Sequence, residues 1–137
     1  MYQLVYTSKA VQPVTDESLM AILTFSQNNN WKLGISGMLL YVDGHFLQFL
    51  EGKKESIQSL YKIIQQDLRH TDVTILIESE AQELLFPGWA MAFHKTSSSE
   101  LPTNLFIFEP NNLLEICRNS PGKILNVFTA FIDKAKV

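Results

Sequence analysis

The sequence has little cysteine and no long apolar run. One cysteine, Cys117, among 137 residues excludes an internal disulfide framework and favours a reducing compartment. The N-terminus has no basic segment followed by a long apolar one, and no apolar run approaches the ~20 residues that cross a bilayer. The sequence therefore predicts a cytoplasmic protein without a signal peptide or a membrane span.

Charge is also scarce. Charged residues make up 18% of the chain, and the formal net charge of -3 gives no electrostatic reason to expect nucleic-acid binding. Hydrophobic residues make up 46%, which suits a single domain with a real core. The composition therefore predicts one soluble domain without nucleic acid or membrane as a partner.

Common catalytic motifs are absent too. No G-x-G-x-x-G follows a predicted strand, which argues against a nicotinamide dinucleotide site. The segment TSKAVQPVTD has neither the glycine nor the arginine of an acylphosphatase-type phosphate loop. His45, His70 and His94 lack metal-ligand spacing, so we expect no metal site. These absences favour a non-enzymatic protein.

Hydrophobic periodicity predicts the element order β-α-β-β-α-β-β. YQLVYTS is the first strand, and Thr15 is a plausible N-cap for a helix that we expect to end near NNNWK. Asp43-Gly44 between two apolar runs indicates a hairpin. A second helix should begin near Lys54, with an apolar stripe that reaches Leu68, before the strands DVTILIES and GWAMAFH.

That order predicts an α+β, ferredoxin-like sheet with two helices on one face. After a loop, LFIFEP is a possible short strand, NNLLEICR a short helix, and the residues from Pro121 a longer helix with an apolar stripe that reaches Ala135. The central strands are apolar on both sides. We therefore expect these C-terminal helices, or a partner subunit, to cover the second face.

A polar residue, Gln48, interrupts the apolar strand GHFLQFLEG. Because side chains alternate along a strand, Gln48 shares a face with Phe46 and Leu50. Burying an amide without partners costs about 1–3 kcal/mol. The sequence therefore predicts that the Gln48 amide is hydrogen-bonded.

Other neutral polar side chains fall on the same helix-covered face. Tyr6 shares a side of its strand with Leu4, and Ser26 and Asn30 lie on the inner stripe of the first helix. Trp89, Met91 and Phe93 are expected to share a side of the last strand. Such donors and acceptors suit a neutral heteroaromatic ligand, although plain packing or a helix stop at Asn28-Asn29-Asn30 accounts for most of them individually.

Taken together, these segments resemble the BLUF domains, blue-light sensors that use flavin adenine dinucleotide (FAD). The motifs are LVYTS, NNNWKLGISGMLLYVDGHFLQFLEG, LYKIIQQDLRHTDV and FPGWAMAF, in the family's order. The resemblance covers residues 2–95. It implies a flavin-binding photosensor core over residues 1–95, and a C-terminal loop and helices over 96–137 that provide output and oligomer contacts.

The resemblance also implies roles for individual residues. Tyr6 matches the redox-active tyrosine, Gln48 the glutamine between that tyrosine and the flavin, and Asn30 the asparagine at the flavin's carbonyl and N3 edge. Trp89 and Met91 match a pair that reports the light state. Further cofactor-binding residues are expected at Ser26, Asn29, Asp67 and Arg69. Trp31 is not typical of the family, and is either a competing electron donor or a surface or core aromatic.

The implied mechanism is photochemical. Excited flavin takes an electron from Tyr6, a proton follows through Gln48, and the amide is left rotated or tautomerised after recombination. The expected cofactor is FAD, with FMN or riboflavin possible. The expected partners are a second copy of the chain and a separate signalling protein. The alternatives are a flavin-dependent redox enzyme and a cofactor-free interaction module. Cys117 lacks the motif of cysteine-adduct photoreceptors.

Overall fold

The computed structural model describes residues 1–101, 110–119, 121–131 and 133. The predicted order of strands and helices is confirmed. The elements are β1 (Tyr2–Ala10), α1 (Asp16–Leu33), β2 (Ser36–Val42), β3 (His45–Gly52), α2 (Lys54–Gln66), β4 (His70–Glu80), β5 (Ala92–Thr96), α3 (Pro110–Asn119) and α4 (Pro121–Ala130). The possible strand LFIFEP and the end of the predicted apolar stripe at Ala135 lie outside the described residues.

The five strands form one sheet in the order β4-β1-β3-β2-β5. β1 lies between β3 and β4 and runs antiparallel to both. β2 pairs antiparallel with β3 and parallel with β5 at the edge. The first four strands have the ferredoxin-like arrangement, in which α1 carries the chain from β1 across β3 to β2.

Helix α1 is longer than the sequence predicted. The Thr15 side chain caps it by accepting from the Ser18 backbone N–H at 3.1 Å, as expected. The expectation that NNNWK is a poor place for the helix to continue is wrong, because the helix runs through all five of these residues to Leu33. It ends at Gly34, whose φ of 67° is left-handed and whose N–H faces the carbonyls of Asn30 and Trp31. Asn30 is therefore held within a helical turn.

The sheet is covered on both faces, as predicted. On one face, α1 and α2 bury a cluster that includes Leu4, Tyr6, Leu19, Leu23, Phe46, Leu50, Ile57 and Tyr61. On the other face, α3, α4 and the following residue bury a cluster that includes Val5, Met38, Leu47, Phe49, Leu113, Cys117, Ile124, Phe128 and Phe131. Strand alternation places Gln48 on the α1/α2 face.

Three local expectations are wrong. Leu68 lies beyond the end of α2 and is 91% exposed, so it does not continue the buried stripe. The last strand begins at Ala92 rather than near Gly88, because the chain first turns, with the Trp89 N–H donating to the Phe86 carbonyl at 3.0 Å. Helices α3 and α4 have ten residues each, so the second is not longer.

No helix among the described residues is long and apolar enough to cross a membrane. The same part of the chain has no cluster of three or more histidine, cysteine, aspartate or glutamate residues that could hold a metal ion.

Candidate functional site

Tyr6 and Gln48 lie opposite each other on the paired strands β1 and β3. The Tyr6 hydroxyl donates to Gln48 Oε1 at 2.5 Å, and both residues are buried. The Gln48 amide nitrogen in turn donates to Met91 Sδ at 3.3 Å. Both ends of the amide therefore have partners, which confirms the expectation that this buried glutamine is hydrogen-bonded.

Asn30, on the last turns of α1, is 1% exposed. Its Nδ2 donates to the Ala90 carbonyl at 2.9 Å, which ties the helix to the segment before β5. No described residue donates a hydrogen bond to its Oδ1. Asn30 lines the cavity described next, so its Oδ1 is an acceptor that a ligand there could use.

A cavity lies between α1 and α2 above the sheet. It has a volume of about 110 Å³ and is lined by Tyr6, Ile22, Phe25, Ser26, Asn29, Asn30, Leu39, Phe46, Gln48, Leu60, Ile63, Ile64, Asp67, Arg69 and His70. Phe25 and Ile63, which are 66% and 64% exposed, form apolar walls open to solvent. Neutral polar groups at the floor and apolar side walls suit a flat heteroaromatic ligand.

Asp67 and Arg69, which both line this cavity, form a charged pair. Arg69 Nε donates to both carboxylate oxygens of Asp67 at 3.0 Å. This hydrogen bonding by Arg69 lowers the pKa of the Asp67 carboxyl. The Arg69 guanidinium is well exposed and has donors left for a ligand.

The surroundings of Tyr6 keep its phenol neutral. Burial raises the pKa of Tyr6 well above its ordinary value, and the nearby Tyr61 and Asp67 raise it further. The Tyr61 ring lies 5.9 Å from the Tyr6 ring, and the His70 ring 6.3 Å away, between centroids. The proton of Tyr6 therefore stays on the hydroxyl that faces Gln48.

Trp89 does not join this group. We expected Trp89, Met91 and Phe93 to share a side, but only Met91 and Phe93 belong to the α1/α2 face. Trp89 is half-buried against the opposite cluster, and its ring stacks on Phe86 with centroids 5.5 Å apart. The expectation failed because residues 86–89 form a turn, so strand alternation does not extend back to Trp89.

The structure brings the other expected residues together around the cavity: Tyr6, Ser26, Asn29, Asn30, Gln48, Asp67 and Arg69. Met91 is connected to this group by the hydrogen bond that its sulfur accepts from Gln48. Trp31, by contrast, is 75% exposed and is a surface aromatic.

Two residues at the site were missed. Gln27 Nε2 donates to the Met91 carbonyl at 3.0 Å, and its position three residues before Asn30 could have revealed it as a neighbour on the same helix face. His70 borders the cavity and is held by Ser8 Oγ at 2.7 Å and the Ile64 carbonyl at 2.6 Å. The contact of His70 with Ser8 joins residues far apart in sequence, and its contact with Ile64 depends on where α2 ends. No sequence pattern therefore indicates either contact.

A family model described as "BLUF: Sensors of blue-light using FAD" matches residues 1–92 of this chain. The match covers most of the chain, including β1, α1, the central hairpin, α2 and β4. The chain belongs to the BLUF family, whose members bind flavin and sense blue light.

The chain is also similar to characterised proteins. It is 41% identical over 98 residues to photoactivated adenylate cyclase subunit beta of Euglena longa, covering 71% of this chain but 11% of that protein. The chain thus spans about a tenth of the length of such relatives. The photo-activated state of BlsA matches with a TM-score of 0.74 and 26% identity, covering 93% of this chain and 94% of that one. The dark state of the BLUF protein BlrB matches with a TM-score of 0.68 and 25% identity, covering 90% and 89%.

Proposed function

We propose that this chain is a blue-light photoreceptor in which Tyr6 and Gln48 form the photochemical switch. The observation that carries the proposal is the chain of hydrogen bonds from the Tyr6 hydroxyl through the Gln48 amide to Met91 Sδ. Tyr6 and Gln48 line a cavity whose neutral polar and apolar side chains suit a flavin ring.

The residues present fit a flavin. Asn30 Oδ1 is an acceptor for a ring N–H, while Gln48 and Asn29 supply amide groups along the same cavity. Ile22, Phe25 and Ile63 supply apolar contacts for the rest of the ring. Arg69, which also lines the cavity, supplies charged donors. FAD is the form we propose, with FMN or riboflavin as shorter alternatives, since these contacts chiefly concern the ring.

A bound flavin supplies absorption of blue light and, once excited, a strong one-electron acceptor. Tyr6 is the donor that the site provides, because its phenol is neutral and buried beside the cavity. Loss of an electron makes a phenol strongly acidic, and among the described residues the hydrogen-bond acceptor for its proton is Gln48 Oε1 at 2.5 Å. After electron and proton return to Tyr6, a rearranged Gln48 amide presents a different hydrogen-bond pattern to the cavity and to Met91.

This rearrangement changes the hydrogen bond between Gln48 and Met91, next to the last strand. Met91 directly precedes β5, and β5 pairs with β2 through Ala92 to Thr96. Farther along β5, the His94 ring stacks on Phe131 at the end of α4, with centroids 4.8 Å apart. We propose that this path carries the change from one face of the sheet to the C-terminal helices.

We propose that output passes to a separate signalling protein or to a second copy of the chain through residues 96–137, with residues 1–95 as the photosensor core. Trp89 and Met91 would both report the light state, Met91 through its bond to Gln48 and Trp89 through its contact with Phe86. No nucleic acid takes part in this proposal. A cytoplasmic location stays a prediction of the sequence.

The test is an absorption spectrum of the purified protein in the dark and after blue illumination. A yellow protein whose flavin bands shift slightly to the red and return in darkness supports the proposal. A colourless protein that takes up no added flavin contradicts it and leaves a cofactor-free interaction module. A yellow protein that bleaches on illumination indicates net reduction or adduct formation, and contradicts the role given to Gln48.

A further inference from the structure

A buried carboxylate, Glu51, lies three residues after Gln48 on β3 but on the opposite face of the sheet. Its side chain accepts three hydrogen bonds: Oε1 from the Leu85 N–H at 2.7 Å, and Oε2 from the Phe86 N–H at 2.7 Å and from Ser36 Oγ at 2.9 Å. Glu51 is 2% exposed. It has no part in the photochemical site described above.

Burying a carboxylate is costly unless it is well hydrogen-bonded. The ion pairs Arg69–Asp67 and Lys95–Asp16 do not involve Glu51, and no Lys, Arg or His of the described residues forms an ion pair with it. All three partners are neutral donors, and two are consecutive backbone amides. Charge-assisted bonds of this kind are roughly twice as strong as neutral ones. Glu51 therefore fastens the chain firmly at Leu85 and Phe86.

The fastened chain leads directly to Met91. We call residues 85–91 the relay segment. Beyond Phe86, the Gly37 N–H donates to the Trp89 carbonyl at 2.9 Å, Asn30 Nδ2 to the Ala90 carbonyl, and Gln27 Nε2 to the Met91 carbonyl. Every one of these anchors comes from α1, β2 or β3. Glu51 holds the beginning of the segment, and Gln48 contacts its end.

We propose that Glu51 is a positioning residue for the photochemical switch. By fixing the start of the relay segment, it keeps Met91 Sδ within hydrogen-bond distance of Gln48 Nε2. The inference rests on the proposed function. After illumination, return to the dark arrangement requires Gln48 to recover this partner, so a loosely held segment slows the return and favours the light-adapted arrangement.

Glu51→Gln tests the proposal with little change in shape. The variant's amide nitrogen cannot accept, so at least one of the three hydrogen bonds is lost. Ser36→Ala is the matched control, since it removes one donor and leaves both backbone bonds to Glu51. We expect Glu51→Gln to bind flavin and shift on illumination, but to recover in darkness at least about twofold more slowly than the unmodified protein, whereas Ser36→Ala recovers at the unmodified rate.

A smaller change, or a faster return, in Glu51→Gln would overturn the proposal. Should that variant fail to fold, Glu51→Asp serves instead. It keeps the charge but is one methylene too short to reach both amides, and the same slowing is expected. A normal recovery rate in Glu51→Asp would equally overturn the role.

Hydrogen exchange in darkness separates this inference from the proposed function. If the unmodified protein shows no red shift, the proposed function fails, but the anchoring is still measurable. The Trp89 amide, which donates to the Phe86 carbonyl at 3.0 Å, should exchange at least about fivefold faster in Glu51→Gln than in the unmodified protein. Equal exchange would mean that Glu51 does not position the relay segment.

Discussion

The Tyr6 hydroxyl and the Gln48 side-chain oxygen lie 2.5 Å apart, on residues that are direct partners across β1 and β3. Because both strands are central, neither residue can shift without disturbing backbone pairing on both sides. The sheet thus holds a phenol and an amide within hydrogen-bond distance of each other. The position of this pair relative to the cavity does not rely on a flexible loop.

Tyr6→Phe should retain flavin but lose the light-induced red shift. The substitution removes the electron donor and the transferable proton while keeping the ring. It also leaves Gln48 Oε1 without its donor, which costs about 1–3 kcal/mol of stability. Absorption spectra before and after illumination measure the shift. Tyr41→Phe is the control: it makes the same chemical change on β2, away from the cavity, and its flavin bands should shift normally. A normal red shift in Tyr6→Phe would contradict the assignment of Tyr6 to the switch.

Asn30→Ala should weaken both the fold and flavin binding. It removes the donor to the Ala90 carbonyl and the Oδ1 acceptor at the cavity. We expect a loss of about 1–3 kcal/mol in the free energy of unfolding and weaker flavin retention on a desalting column. Asn28→Ala, at an exposed position on the same helix, is the control. If both variants retain flavin equally, Asn30 is not a cofactor ligand.

Met91 and Trp89 should have separable effects. Met91→Leu conserves volume but removes the sulfur that accepts from Gln48 Nε2, so we expect slower dark recovery and a loss of up to about 1 kcal/mol in stability, because a thioether is a weak acceptor. Trp89→Leu removes a ring stacked on Phe86 and should lower stability by about 1–2 kcal/mol while the flavin shift persists. Urea unfolding and recovery kinetics on both variants check this. An abolished shift in Trp89→Leu would show that Trp89 contacts the switch directly.

Alkaline stability should depend on Tyr6. Its pKa is raised in the folded protein above the ordinary value of 10.0, so its neutral form is favoured by folding. Above pH 10.0, Tyr6 loses its proton in the unfolded chain but keeps it in the folded protein. The unfolded chain then binds fewer protons, so the free energy of unfolding falls by up to about 1.4 kcal/mol per pH unit because of this group. Below pH 10.0, Tyr6 contributes no pH dependence. Urea unfolding from about pH 8 to about pH 11 measures the slope.

Tyr6→Phe should flatten that slope. Tyr2 and Tyr61 also have raised pKa values and remain in the variant, so a residual decline is expected. An unchanged slope would mean that Tyr6 is ionised as readily in the folded protein as in the unfolded chain.

Gly37→Ala should prevent folding. An added Cβ would lie 1.9 Å from the Phe49 carbonyl oxygen, a backbone atom that cannot move without breaking the pairing of β2 with β3. Gly122→Ala in α4 is the control, because no described residue beyond the local helix lies within 4 Å of the new Cβ; it should be neutral or stabilising by up to about 1 kcal/mol. Soluble yield and circular dichroism compare the two. A folded Gly37→Ala would contradict the close approach of β2 and β3.

The sequence predicted much of this arrangement because the central strands alternate regularly. Gln48 and Tyr6 were placed on the correct face from alternation alone, and the cover of the second face by C-terminal helices followed from strands that are apolar on both sides. Asn30 was placed on the inner face of α1, although the end of that helix was misjudged. Asparagine runs disfavour helices only weakly, and the left-handed Gly34 decides where α1 ends.

The errors and omissions concern irregular backbone. Trp89 was assigned to the wrong face because a turn at residues 86–89 interrupts the alternation. Glu51 was not singled out from the sequence, since its partners Leu85 and Phe86 are distant in sequence and offer only backbone amides. Neither periodicity nor composition contains information about such contacts. They appear only once the chain has been folded.

The central position of β1 has a consequence for assembly. The first strand of the chain pairs with β3 and β4, which follow much later in the sequence, and Tyr6 is 42 residues away from its hydrogen-bond partner. Contacts between distant residues form slowly because long loops must close first. We therefore expect the cavity floor to become complete late, after α1 and the hairpin have formed. In a refolding experiment with flavin in solution, capture of the cofactor would mark the end of folding rather than its beginning.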